Sequence, residues 1–148
     1  MASIKYPTPD FITENDRYQI WLDRKASAHR KRDGGKFSKE EYKKAIHSAV
    51  VISKGHDFYT GDMLNWDLIG KFGVPDAHGV ANYKKEPNLP TVDHLNGRNE
   101  RDLIFVIAGW AVNDAKNDLS YNELLLLCKK ILDNQEYCLS KIEEIKNR

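Results

Sequence analysis

The sequence predicts a mostly helical α+β fold, in which a two-stranded antiparallel hairpin and a following helix sit between N-terminal and C-terminal helices. Three observations lead there. Ser38-Lys39-Glu40-Glu41 and Ser120-Tyr121-Asn122-Glu123 are capping boxes, each opening a stretch with apolar residues at helical spacing. Two short apolar runs, Leu89 to His94 and Leu103 to Trp110, flank the polar loop Leu95 to Asp102. With 148 residues, 41% hydrophobic and 30% charged, the chain is the size of one domain that buries a real core. That single domain divides into a basic arm with two helices (1–55), a hairpin-bearing core (56–119) and C-terminal helices (120–148).

Pro7 and Pro9 oppose helix, so residues up to Phe11 form an irregular arm. A helix is expected from about Glu14 to Arg32, with Tyr18, Trp21, Leu22, Lys25 and Ala28 on its inner stripe. Gly34-Gly35 ends it. The helix opened by Ser38 carries Tyr42, Ala45, Ile46, Ala49 and Val50 on one face and stops at Lys54-Gly55. Phe58 to Leu64 reads as a tight turn, and Trp66 to Ile69 as a helical turn. Residues Gly70 to Asn88, with His78 among them, form a long surface loop, of a length that is usually functional or mobile. Past the second apolar run, Asn113 to Asn117 starts a helix. Ser120 opens another through Leu124 to Leu127, Cys128, Ile131 and Leu132, read as core or a subunit contact, which leaves a homodimer open. Asp133-Asn134 interrupts it before a last segment with Tyr137, Leu139, Ile142 and Ile145 on one side.

Composition excludes more than it assigns. A formal net charge of +1 names no partner, so local clustering must do so. From Arg24 to Lys36, six Lys or Arg face the single acid Asp33. Arg30, Lys31 and Arg32 at its centre are candidate contacts to a nucleic-acid backbone. Cys128 and Cys138 are too few for a thiolate zinc site and give no reason to expect an oxidising compartment. No signal peptide and no apolar run of membrane-spanning length is present, so a cytoplasmic protein without a membrane partner is expected.

Chemistry concentrates in Asp93-His94 at the end of the first run and Asn113, Lys116 and Asn117 at the helix entry. A histidine titrates near neutrality and suits a general base, while Asp and Asn offer hard oxygen donors. Lys116 and Asn117, three and four residues past Asn113, share its helical face and are candidate phosphate contacts. Val92-Asp93-His94, the strand Phe105 to Ile107 and Asn113-x-x-Lys116 together resemble the HNH nucleases, the ββα-metal or His-Me finger group. That resemblance implies His94 as general base, Asp93 and Asn113 as ligands of Mg²⁺ or Mn²⁺, and hydrolysis of phosphodiester bonds, most directly in DNA. Asp57, Thr60, Gly109 and Val112 stand where zinc-binding members have cysteines, so no structural zinc is expected. One departure is Ile104, nine residues before Asn113, where the family places an asparagine that orients the histidine. Asp102 and Asn99 lie nearby but out of register, so either a backbone carbonyl or one of those side chains orients the histidine, or the site is weakened. The departure keeps two alternatives open: a nucleic-acid-binding module of this fold weakened in catalysis, and an interaction protein whose histidine is structural.

Overall fold

A computed structural model describes residues 4–71 and 86–148. The chain runs α1 (Asn15–Arg32), α2 (Lys39–Ser53), a 3₁₀ turn at Trp66–Leu68, β1 (Pro90–His94), β2 (Phe105–Gly109), α3 (Trp110–Lys116), α4 (Tyr121–Asp133) and α5 (Gln135–Lys146). The fold is α+β and mostly helical, with one antiparallel pair of strands among the described residues. Most of the expected Gly70 to Asn88 loop, His78 included, lies outside the described residues.

Local chemistry sets most helix ends. Ser38 accepts from the Glu41 amide and Glu41 returns a bond to the Ser38 amide; Ser120 and Glu123 do the same at α4. Each such cap stabilises its helix by about 1 kcal/mol. Lys54 adopts a left-handed conformation (φ 49°) at the end of α2 and Gly55 follows at φ 88°, the turn that carries the chain off the helix. Asn134 separates α4 from α5, where the sequence marks the interruption.

One boundary and one buried stripe differ from expectation. The third helix begins at Trp110 rather than Asn113, because Leu89 and Pro87 offer carbonyls to the amides of Trp110 and Ala111 at 3.0 and 3.2 Å. Those acceptors satisfy first-turn donors that a helix otherwise leaves bare. The inner stripe of α1 is Tyr18, Trp21, Leu22, Ala26 and His29, with Lys25 and Ala28 only half-buried.

The core lies where α1 and α2 pack together and α2 covers β2. Tyr18, Leu22, Tyr42, Ile46 and Val50 meet Val92, Phe105 and Ile107 from the hairpin. Full burial of a side chain such as Leu22 or Ile46 contributes about 1.5–3 kcal/mol. The hairpin pairs Asp93 with Val106 and His94 with Phe105. No described helix is long and apolar enough to cross a membrane.

The C-terminal helices depart most from expectation. Leu125, Leu126, Leu127, Ile131 and Leu132 are exposed, and none of α4 or α5 enters the core. The stretch is helical through its own caps, yet no other described element of this chain covers its apolar face.

Candidate active site

Every residue of β1 is buried, so its two ionisable side chains must find partners inside the protein. They do so on opposite faces, as strand alternation requires. Asp93 points toward α3 and the turn after α2. Lys116 Nζ lies 3.2 Å from its Oδ1 and 3.0 Å from its Oδ2, and Tyr59 donates its hydroxyl to Oδ2. The same ammonium donates to the His94 carbonyl at 2.8 Å. Lys116 is 0% exposed, so its helical face looks into the protein and not toward a phosphate. That corrects the phosphate-contact expectation: the direction of α3 relative to β1 turns the Lys116 face inward. Burial pushes the Asp93 carboxyl up, against the opposing pull of Tyr59 and Lys116. Burial first, and then Asp93, also holds the Tyr59 hydroxyl well above its usual range.

His94 points the other way, toward α1. Its ring is 4% exposed and packs against Phe105 (centroids 4.7 Å apart) and edge-on against His29 (5.3 Å). Asp33, which caps the C-terminus of α1, brings Oδ2 to 3.2 Å from His94 Nε2. Tyr42 donates to the same carboxylate at 2.8 Å, and its hydroxyl is pushed up to about 12, by burial first and then by Asp33. The Nε2 contact falls short of hydrogen-bond alignment, and Nδ1 of His94 has no hydrogen-bond partner among the described residues. Burial lowers the His94 pKa, with Asp33 and Asp102 pulling it back up. His29 is lowered to about 3, by burial first and then by the neighbouring His94, Arg32 and Lys25.

Between α1, the end of β1 and α3 lies a polar cleft of about 190 Å³. His94, Asp93, Asn113 and Asn117 line it, as do Arg32 and Arg98. The hairpin and α3 therefore bring four of the sequence-derived site residues onto one surface. Of the basic trio, Arg32 alone lines the cleft. Arg30 instead donates from Nε to the Phe37 carbonyl at 3.1 Å, and Lys31 is exposed away from the cleft. Successive residues of a helix point about 100° apart, so three in a row do not share one target. Two acids, Asp114 and Asp118, share the lining, and Asp118 sits 3.7 Å from Arg98.

As a metal-ligand pair, Asp93 and Asn113 fit poorly in this arrangement. Both Asp93 oxygens are already engaged, by the Lys116 ammonium and the Tyr59 hydroxyl. Asn113 is half-buried in the cleft lining, inside α3 rather than at its N-cap, which is Gly109.

Sequence reasoning missed Asp33, His29, Tyr42 and Tyr59. His29 has the helical spacing of a core position (Tyr18, Leu22, Ala26, His29), a signal obscured by the basic residues around it. Asp57 is a further buried acid: Oδ1 accepts from the amides of Tyr59 and Thr60, and Oδ2 from that of Gly109 at 2.5 Å. It ties the turn carrying Tyr59 to the end of β2 and so fixes Tyr59 against Asp93. Compared with protein-family models, curated proteins and solved structures, the chain matches none of them.

Proposed function

We propose that the cleft between α1, β1 and α3 binds a phosphodiester of nucleic acid, most directly DNA, and that His94 is the general base for its hydrolysis. One observation carries this: His94, Asn113 and Asn117 share a small polar cleft with Arg32 and Arg98. Guanidinium pairs bind phosphate oxygens in a forked geometry and offset charge as it builds on phosphorus. Asn113 and Asn117, one turn apart on α3 and the residue after it, offer amide donors for orientation. His94 takes a proton from water, whose oxygen then attacks phosphorus as the bond to the leaving oxygen breaks. Asp93 and Lys116 hold the end of β1 to α3 and so fix the His94 backbone. The HNH resemblance supports the same chemistry through Asp93-His94 and Asn113, and Mg²⁺ or Mn²⁺ belongs to the proposal as a titration to be made. No step is assigned to a metal, since Asp93 would first have to lose Lys116.

A second reading is a nucleic-acid-binding module that does not cut. It is favoured by the burial of His94 and by the ammonium already on Asp93. Supercoiled plasmid incubated with the protein in Mg²⁺, in Mn²⁺ and in chelator separates the two. Nicking by the wild type, reduced about 10²- to 10⁴-fold in His94→Ala with DNA binding retained, is the expected outcome. Binding with no cleavage under any condition would leave the second reading. Cleavage equal in wild type and a folded His94→Ala protein would remove His94 from the chemistry.

A further inference from the structure

We infer that Asp33, contributed by α1 from outside the hairpin-and-helix element, is the positioning residue that sets the tautomer and orientation of His94. The inference rests on the hydrolytic role proposed for His94. The position from which the resemblance would supply an orienting group holds Ile104, which has no polar side-chain atom and is 48% exposed. Asp102, beside it, accepts from Asn96 Nδ2 at 2.9 Å and from the Ile104 amide at 3.1 Å, which holds it in the loop. Asp33, by contrast, has a side chain that is 0% exposed, with Oδ2 3.2 Å from Nε2.

Three features aim Asp33 at the ring. Its amide donates to the His29 carbonyl at 2.9 Å, which fixes its backbone as the last turn of α1 closes. Gly34 and Gly35 follow at φ 78° and 72°, so the chain leaves abruptly and the carboxylate stays inside. Tyr42, itself fully buried, donates to Oδ2 from α2, and Oδ1 has no partner among the described residues. A buried carboxylate satisfied by one neutral hydroxyl is unfavourable. A proton on Nε2 facing it relieves that, and a small ring rotation brings the 3.2 Å contact into line.

The consequence is chemical. With the proton on Nε2, the lone pair of His94 is on Nδ1, which like Nε2 is buried and has no aligned hydrogen-bond partner among the described residues. A proton taken from water then arrives at Nδ1, and the imidazolium so formed is stabilised by the Asp33 charge on the far side of the ring. Phe105 and His29, themselves in contact with centroids 5.2 Å apart, both pack against the ring and limit its rotation. The arrangement follows the general logic of a base held by a carboxylate.

The experiment uses full-length protein labelled with ¹⁵N, in which the ring nitrogens of His94 are assigned by their loss in His94→Ala. Wild type should show His94 protonated on Nε2 with Nδ1 bare. Asp33→Asn should shift it toward a mixture of tautomers, whereas Tyr42→Phe, which leaves the carboxylate His94 as its one donor, should push it further toward Nε2–H. In plasmid cleavage, Asp33→Asn should lower kcat by about 10²-fold with KM for DNA within about twofold. Tyr42→Phe, a milder change, covers the case in which Asp33→Asn does not fold. A wild-type His94 protonated on Nδ1, or a tautomer that ignores both substitutions, would overturn the Asp33 assignment alone. Absence of cleavage by wild type, with a tautomer that follows Asp33, would overturn the hydrolytic role while keeping the pairing.

Discussion

Around β1 the ionisable side chains Asp33, Asp93, His29, His94 and Lys116 lie inside the protein, whereas along α4 and α5 Leu126, Leu132 and Ile145 lie outside at 60, 67 and 69% exposure. The first region buries what water would solvate, and the second exposes what water would expel. Buried charge persists only where each group has a specific partner: Lys116 has Asp93 and the His94 carbonyl, and Asp33 has Tyr42 and His94. The hairpin region is therefore built of pairs, in which losing one member strands the other. The C-terminal helices are held by capping, by contact with each other and by Tyr121, which packs on Phe58 and Tyr59 and donates its amide to the Leu95 carbonyl. Their exposed apolar side chains therefore contribute little to this chain's own fold.

The largest expected effect breaks a pair. Lys116→Met leaves the Asp93 carboxylate buried without its cation and should destabilise the protein by about 3–5 kcal/mol. The double variant Asp93→Asn, Lys116→Met should recover part of that in urea unfolding, because both charges are gone. Strict additivity of the two single changes would show that the pair is not coupled.

Acid should act on the same region. The unfolded chain binds a proton at His29 near 6.5, while the folded protein refuses it until about 3. The stabilisation is thus complete above 6.5 and lost as pH falls through that window, by up to about 5 kcal/mol. His94, lowered by burial, adds in the same direction; Asp93, raised by burial, opposes it. Urea midpoints measured from pH 7.5 down to 4 should fall, and His29→Phe should flatten the profile. A midpoint that holds steady to pH 4 would mean that His29 is solvated.

Substitutions in the C-terminal helices test the other side of the contrast. Leu126→Ser and Leu132→Ser should each change stability by less than about 0.5 kcal/mol, the range of ordinary surface positions. Ile46→Ala, in the core, should cost about 2–5 kcal/mol. A loss of core size from Leu126→Ser would show that α4 is covered in solution.

The smallest effect is on DNA affinity. Because Arg32 alone of the basic trio lines the cleft, Arg32→Ala should flatten the plot of log affinity against log salt by about 0.9 on duplex DNA. Replacing Arg30, Lys31 and Arg32 together should do no more. A slope change twice as large in the triple variant would bring Arg30 or Lys31 back to the phosphates.

The sequence by itself determined whatever is short-range. The bonds of Ser38 with Glu41 and of Ser120 with Glu123 span three residues, so they are legible before any fold is known. So are the break at Asn134, the two strands, and the placing of Asp93 and His94 at a strand end beside α3. Tertiary structure alone decided which side chains meet across long stretches of chain. Asp33 reaches His94 from the end of α1, Tyr42 reaches Asp33 from α2, and Tyr59 meets Asp93 across 34 positions, with no periodic signal marking these meetings. Lys116 shows the division most plainly. Helical spacing puts it on a face with Asn113, but whether that face looks outward depends on how α3 lies against β1. With its first-turn amides bonded to Leu89 and Pro87, α3 is docked so that the Lys116 ammonium goes inside, onto Asp93.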